Sequence, residues 1–456
     1  MPNSAATFIL PKTAVYGLLA NLLMALLFLF AATQHAAAQS EFRDAVTQHG
    51  ITWHFGETRE TGRYANGDWW VMGPVTITEI TPRSSNSDGR VINGTMVNPI
   101  GSSQGYDSHN SDMPYRSELN VAPSMTGQPL SITTGSVVSS ISKASPNANG
   151  RPLLDDLAIL TVVESRPAAD AFRPHPYGQD KTARWRESDL DYGILQSLPK
   201  VSNMPDRDRL ASRALRFWNE QHTNWLQRTV QASNNQAVYG REIANKTGQM
   251  LLILHLDLPM AEKRDIFVGV VQYGLDIYGR LQEGGQWVPN GGHNAGRKMP
   301  MLLAGLALGD ETIIARANRD EDPNRFQEDA QTFIVSEDHP LYGQEYHASD
   351  IGMPEWGIRH WQDPSRDRKS WGAGYRWIGS AMLGHALAAH LTPGAVEAWN
   401  WEPFFDYIDR YFEVDTRPTT DTNGIQAFQR SMWEAYRTLD GGGGSRRPSP
   451  PQLFVE

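Results

Sequence analysis

The chain has 456 residues, of which 40% are apolar and 10% aromatic, and this composition indicates packed cores rather than a disordered, collagenous or coiled-coil chain. Its 41 lysines and arginines are outnumbered by 51 aspartates and glutamates, and the resulting net charge of −10 argues against a nucleic-acid partner. The chain has no cysteine, which excludes disulfides, thiolate nucleophiles and iron–sulfur clusters.

The N-terminal segment 1–38 has the pattern of a secretory signal peptide. Lys12 is its only charged side chain, the apolar run Leu22–Ala32 follows, and three alanines ending at Ala38 form a small-residue cleavage site. We predict cleavage after Ala38, a periplasmic or secreted location, and a mature protein that does not span the membrane. The alternative is an uncleaved anchor, because the apolar stretch from Val15 is about long enough to cross a bilayer.

The segment 39–165 is rich in short β-forming runs. Trp69–Met72 and Val75–Ile80 flank a Gly-Pro turn, and Leu157–Val163 is a continuous apolar run, as in a buried strand. This spacing predicts an N-terminal β-sandwich-like domain. Within it, residues 101–128 are rich in Gly, Ser, Asn and Pro and predict a long ordered loop or a lid.

Beyond a predicted linker at 166–205, the hydrophobic period becomes helical. The pattern predicts helices at 206–232, 237–255, 261–281, 296–308, 370–391, 395–412 and 424–438. These pair into an α/α-hairpin domain, a toroid or partial toroid, over 206–440. The predicted fold class is therefore α+β and multidomain, and residues 441–456, rich in Gly, Arg and Pro, form a flexible tail.

The segment Gln286–Lys298 concentrates polar chemistry. His293 precedes a predicted helix, where the helix dipole favours the neutral imidazole that a general base requires. Gly291 and Gly292 permit close approach of a substrate beside it. The alternative is that Asn294 caps the helix and His293 is structural.

Aromatic, arginine and carboxylate side chains alternate further along the chain. Rigid aromatic faces beside charged hydrogen-bonding groups suit a sugar, which has apolar C–H faces and a polar rim. For Trp371 and Tyr375, which share a helical face, core packing is the competing interpretation. The predicted substrate-binding residues are Asn294, Arg297, Lys298, Trp287, Trp356, Arg359, Trp371, Arg376, Glu328 and Glu355.

In architecture and residue mixture the chain resembles carbohydrate-active enzymes built on α/α toroids. These include polysaccharide lyases of the alginate and chondroitin lyase type and inverting glycoside hydrolases. The segment Asn290–Asn294 is similar to the Asn-Asn-His-type signature of alginate lyases. Here, however, the β-domain precedes the helices, whereas in many such lyases it follows them. The resemblance implies an exported enzyme that acts on a polysaccharide or oligosaccharide.

Three functions are compatible with this resemblance. A lyase cleaving uronic-acid glycans by β-elimination would use His293 as base, with Asn290 or Asn294 orienting the carboxylate, and would need no metal or organic cofactor. Its acid would be Tyr346, then Tyr375, then Tyr239, with Arg297, Lys298, Arg359 and Arg376 lining a basic cleft. A hydrolase would instead pair two carboxylates among Glu328, Asp329, Asp350 and Glu355. A non-catalytic glycan-binding protein would use the same aromatics for recognition alone.

Overall fold

The computed structural model describes residues 40–110, 112–357, 378–414 and 424–438. The predicted signal peptide and the predicted C-terminal tail lie outside these residues. Within them the protein is a mixed α/β structure, with a sheet at the N-terminus and helices after it, which confirms the order of the two halves. None of the described helices is long and apolar enough to cross a bilayer.

Eight of the twelve described strands form one curled sheet, with the order β7-β9-β10-β3-β2-β4-β8 and β1 paired to β2. The long strand β2 changes partner along its length. Its first half pairs with β4, through Thr52 opposite Thr81, and its second half pairs with β3, through Thr61 opposite Val71. The strands are β1 (Glu41–Gln48), β2 (Ile51–Arg63), β3 (Trp69–Met72), β4 (Val75–Thr81), β5 (Ser85–Ser87), β6 (Arg90–Ile92), β7 (Thr95–Val97), β8 (Leu130–Ile132), β9 (Gly135–Ser142), β10 (Leu154–Val163), β11 (Thr332–Ile334) and β12 (Pro354–Trp356).

Apolar side chains cover both faces of the central strands. Trp53, Ile77 and Leu160 belong to the cluster that the curled sheet encloses. On the other face, Ile159 packs in a second cluster with Phe217, which comes from the helical half of the chain. The apolar run Leu157–Val163 is therefore a strand buried on both sides, as predicted, and the sheet packs directly against the helical half.

Eleven α-helices are described. Those at 241–253, 260–282 and 298–308 confirm three of the predicted helices to within a few residues. The helices are α1 (Pro123–Thr126), α2 (Arg207–Ala214), α3 (Arg241–Ile253), α4 (Met260–Gln282), α5 (Lys298–Leu308), α6 (Glu311–Ala317), α7 (Gln327–Gln331), α8 (Gly379–Leu391), α9 (Ala395–Trp399), α10 (Glu402–Val414) and α11 (Ala427–Tyr436).

The prediction of one helix over 206–232 is wrong. Helix α2 ends at Ala214, and the rest of the segment is irregular apart from a 3₁₀ turn at Trp225–Thr229. Amide side chains there take the backbone bonds that a helix would use: Asn219 donates to the carbonyl of Val230, and Gln231 donates to that of Asn219. Such side-chain bonds compete with helix formation.

Glycines allow the long helices to approach each other closely. A Cβ on Gly274 of α4 would lie 2.7 Å from the Cβ of Ala304 in α5. In the same way, Gly248 of α3 faces Gly384 of α8, where a Cβ would lie 3.3 Å from the Gly384 Cα. These two helix pairs therefore pack closely, and the second pair joins helices that are far apart in the chain.

A buried ion-pair bridge joins the two halves of the molecule. The guanidinium of Arg173, which belongs to the predicted linker, donates to Asp68 at 2.6 Å and to Asp276 of α4 at 2.5 Å. All three side chains are almost fully buried. This bridge fixes the sheet against α4, so that loops from both halves meet at one place.

Candidate functional site

The loop Asn290–Arg297 connects α4 to α5 through a tight turn. His293 N–H donates to the Asn290 carbonyl at 3.1 Å, and Gly291 between them has a φ of +60°, which side chains rarely adopt. Arg297 holds the far end of the turn, because its Nη1 donates to the carbonyls of His293 (3.2 Å) and Ala295 (2.9 Å). The backbone of His293 is thereby fixed from both sides.

The His293 ring lies against the ring of Tyr239, with 3.9 Å between their centroids. Its Nδ1 accepts the N–H of Gly240 at 3.3 Å, and Tyr239 Oη accepts the N–H of Gly292 at 3.0 Å. A Cβ on Gly240 would lie 2.2 Å from the His293 carbonyl oxygen, and one on Gly292 would lie 3.1 Å from the Tyr239 ring. Both glycines therefore serve the packing of this histidine–tyrosine pair.

Arginines dominate the electrostatics of His293. Burial lowers its pKa, and the nearby charges of Arg228, Arg151, Arg297 and Arg241 lower it further, to about 3. The imidazole is therefore neutral at physiological pH, and the causes are burial and the arginines. Because Nδ1 accepts a hydrogen bond, the proton of the neutral ring is assigned to Nε2, which makes Nε2 a donor.

Three of these arginines come from separate parts of the chain. Arg151 precedes β10, Arg228 lies in the 3₁₀ turn, and Arg241 begins α3. Two backbone bonds bring the first two segments together: Leu153 N–H donates to Thr229 O at 2.8 Å, and Ser233 N–H donates to Leu154 O at 3.0 Å.

The arginines keep donor capacity for a ligand. The Nε atoms of Arg151 and Arg228 are buried without a hydrogen-bond partner among the described residues. Burial lowers the pKa of Arg228 and that of Arg241, so both guanidiniums lie where water solvates them poorly. A buried charge of this kind favours an anionic partner.

Partly exposed aromatic and amide groups complete the site. The guanidinium of Arg228 lies 4.2 Å from the ring centroid of Trp225, and that of Arg241 lies 5.1 Å from that of Tyr239. The side-chain amide of Asn290, a predicted catalytic residue, donates to Asn224 Oδ1. The site thus combines cationic donors, a phenol, a neutral imidazole and an aromatic ring, a set that suits an acidic sugar.

Two predicted substrate-binding tryptophans are fully buried. Trp287 donates to Glu220 at 2.8 Å and stacks on Phe326, and Trp356 donates to Gln331 at 2.9 Å. Neither ring offers a free face to a sugar in this conformation.

The residues after His293 form the support of the loop. Asn294 donates to Val288 O at 2.7 Å, and Arg297 pairs with Glu220 at 3.1 Å. Lys298 donates to Asp329 at 2.6 Å and to Trp399 O at 3.0 Å. Of the four basic residues predicted to share a groove with His293, Arg297 contacts its loop from inside the protein, and Lys298 lies in a buried ion pair.

The carboxylates predicted for a hydrolase are also buried. Glu328, Asp329 and Glu355 have at most 2% of their surface exposed. Burial and then Asp329 raise the pKa of Glu328 to about 7. Asp350 accepts the N–H of His347 at 2.9 Å and caps a short 3₁₀ turn. These contacts are structural.

Among the tyrosines predicted as the acid, Tyr346 is fully buried with Val335 and Leu341 in a separate small cluster. Tyr239, the third choice, contacts His293. The predicted site residues Arg359, Trp371, Tyr375 and Arg376 lie outside the described residues.

No local sequence pattern by itself marks the site residues Arg151, Arg228, Arg241, Asn224 and Trp225. One local signal for this site was that Arg228 and Arg241 lie on either side of Tyr239 in the chain. Without the fold, this signal does not show that the three side chains lie near His293.

Within the described part of the chain, no group of three or more His, Asp or Glu side chains is placed to hold a metal ion. No protein-family model matches the chain, and no curated protein or solved structure is significantly similar to it.

Proposed function

We propose that the protein is a polysaccharide lyase that cleaves uronic-acid-containing glycans by β-elimination. One observation carries the proposal: Tyr239 and a neutral His293 are in ring contact, and the charges of Arg151, Arg228 and Arg241 act on that histidine. The net charge of −10 makes this local excess of positive charge a specific feature of the site. Such an excess supports an anionic substrate.

The reaction requires stabilisation of negative charge. Removal of the proton next to the uronate carboxyl spreads a second negative charge over that group, and guanidinium and imidazole N–H donors stabilise it. Arg228 and Arg151 are the strongest charges acting on His293. They are therefore the cations that we assign to the substrate carboxylate, together with Nε2–H of His293.

Tyr239 is our choice for the proton transfer, whereas the sequence-based hypothesis gave that role to His293. The hydrogen bond from Gly240 to Nδ1 leaves His293 with a donor on its other nitrogen. Arg228 and Arg241 place positive charge near Tyr239, and the guanidinium of Arg241 lies 5.1 Å from the centroid of its ring. In the proposed step the Tyr239 phenolate takes the proton from carbon, and the phenol so formed donates it to the leaving glycosidic oxygen as the C–O bond breaks.

The wider context of the proposal also comes from the sequence. We propose export through the predicted signal peptide, and a relationship to the α/α-toroid lyases that the paired helices support. The buried state of Glu328, Asp329 and Glu355 weighs against the hydrolase.

A screen of uronic-acid polysaccharides tests the proposal, with the ultraviolet absorbance of unsaturated uronide products as the readout. Positioned acid–base groups contribute about 10²–10⁴-fold in rate, so we expect Tyr239→Phe and His293→Ala each to lower kcat at least about 10²-fold. Tyr192→Phe, which alters a tyrosine packed on Phe267, is the matched control and should retain activity.

Three results would contradict the proposal that the protein is a lyase with Tyr239 in its mechanism. New reducing ends without the ultraviolet absorbance would indicate a hydrolase, and binding without any product would indicate a glycan-binding protein. A folded Tyr239→Phe protein with wild-type turnover would remove Tyr239 from the mechanism.

A further inference from the structure

Arg228 forms an ion pair with an acidic residue from the sheet half of the molecule. Its Nη2 donates to Asp112 Oδ2 at 2.6 Å. The Arg228 side chain is 10% exposed, but that of Asp112 is 38% exposed, so solvent reaches the pair from the carboxylate side. The pair can open toward solvent without disturbing the core.

The two partners differ in how firmly they are held. Arg228 is fixed by its 3₁₀ turn and by the ring of Trp225, 4.2 Å from its guanidinium carbon. No other ion pair or hydrogen bond of the Asp112 side chain is found among the described residues. Loss of the pair would therefore move Asp112 and leave Arg228 in place.

The segment 101–128, predicted as a long ordered loop or a lid, is anchored on both sides of Asp112. Gln104 N–H donates to Pro114 O at 3.0 Å, and Gln221 Nε2 donates to Ser103 O at 2.7 Å. Met113, directly after Asp112, is fully buried. A rotation of the Asp112 side chain is therefore sufficient to release Arg228, and the segment need not unfold.

Among the charges that act on His293, Arg228 has the strongest effect, and its Nε has no hydrogen-bond partner among the described residues. A carboxylate bound beside His293 would thus meet the same guanidinium that Asp112 occupies. A substrate carboxylate that pairs in bidentate fashion with Nε and Nη2 of Arg228 needs the Nη2 donor that Asp112 now occupies, so the two carboxylates compete for that donor.

We propose that Asp112 occupies the position of a substrate carboxylate on Arg228 and is exchanged for it when an acidic sugar binds. This proposal rests on the proposed function of the site. The exchange selects for a charged ligand. A uronate that displaces Asp112 supplies a new carboxylate for Arg228, whereas a neutral sugar that displaced Asp112 would leave the buried Arg228 without an anionic partner. Asp112 is thus a specificity-determining residue that competes with the substrate.

Calorimetric titration of the full-length protein with tri-galacturonate tests the exchange, with the carboxyl-reduced trisaccharide as the neutral probe. Asp112→Asn keeps the shape of the side chain and removes its charge. An exposed or half-exposed ion pair contributes up to about 1 kcal/mol, so we expect the variant to bind the uronide about fivefold more tightly. In turnover, KM should fall by a similar factor and kcat should stay unchanged.

Asp409→Asn is the matched control. Asp409 also forms an ion pair with an arginine, Arg437, at 2.5 Å, and the guanidinium of Arg437 lies near the ring of Trp433. The side chain of Asp409 is 37% exposed, almost the same as that of Asp112. It makes the same change in net charge, and we expect its affinity to stay within about twofold of the wild type. In an Arg228→Gln background, Asp112→Asn should not change the affinity for the uronide, because the cation for which the two carboxylates compete is absent.

The outcomes separate the exchange from the lyase. Asp112→Asn binding the uronide no more tightly than Asp409→Asn would overturn the exchange, even if the wild type cleaves the polymer. Tighter binding by Asp112→Asn without cleavage would support the exchange and refute the lyase. No uronide binding by either the wild type or Asp112→Asn would refute both. Equal gains for the neutral probe would also overturn the exchange.

Discussion

The buried pair of Glu220 and Arg297 supports the loop that carries His293. Glu220 is fully buried and accepts from Tyr273 (2.7 Å), Trp287 (2.8 Å) and Arg297 (3.1 Å). Burial disfavours the charged guanidinium, but the Glu220 carboxylate outweighs it, so the pKa of Arg297 is raised. Loss of either charge should therefore destabilise the fold, and the two losses should differ in size.

Glu220→Gln is predicted to cost about 3–5 kcal/mol of unfolding free energy. Arginine cannot release its proton, so Arg297 would stay buried and charged without its partner. The new amide would also turn an NH₂ group toward N–H and O–H donors of its neighbours. Arg297→Met should cost less, at the lower end of this range, because Glu220 keeps its two donors from Tyr273 and Trp287. The double variant should recover much of the loss, since neither charge remains buried.

Urea unfolding followed by tryptophan fluorescence measures these differences. Asp180→Asn, which breaks the exposed pair with Arg184, is the control and should cost at most about 1 kcal/mol. A cost below about 1 kcal/mol for Glu220→Gln, or a double variant as unstable as the sum of the two, would refute the reasoning.

Two further predictions concern the site loop and a buried acid. Gly240→Ala should lower kcat by displacing His293, because its Cβ would lie 2.2 Å from the His293 carbonyl oxygen. The control Gly56→Ala should not lower kcat, since its Cβ would lie 3.4 Å from the nearest atom, in Thr78. Equal activities of the two variants would contradict this prediction. Burial, followed by the charge of Asp329, raises the pKa of Glu328 to about 7, so the stabilising protonated form is lost as the pH rises through that value. Glu328→Gln should therefore raise the melting temperature relative to wild type at about pH 8 and not at about pH 4, and an equal shift at both would count against it.

Much of the secondary structure could be predicted because it is coded locally. The alternation in 39–165 and the helical period at 237–308 depend on neighbours in the chain, and strands and helices appear there. The failure at 206–232 has a local cause too: Asn219 and Gln231 bind backbone groups with their amides. The apolar period of that segment reflects burial against the sheet, where Phe217 packs.

The candidate site was predicted only in part. Glycines beside a histidine at a helix start marked the His293 loop, whereas its low pKa comes from burial and from arginines that other parts of the chain supply. Trp287, Trp356 and Glu355 were predicted to face a sugar because of their residue types and polar surroundings. They are buried instead, since residue type alone does not determine which face of a segment turns inward.

By itself, the sequence determined the order of sheet and helices, the absence of cysteine chemistry, and the loop that presents His293. Only the tertiary structure brought Arg151, Arg228 and Tyr239 to that loop. The buried bridge through Arg173 holds the sheet against α4, and backbone bonds join the segment before β10 to the 3₁₀ turn. Because these residues are far apart in the chain, no local period or spacing could reveal that their charges converge.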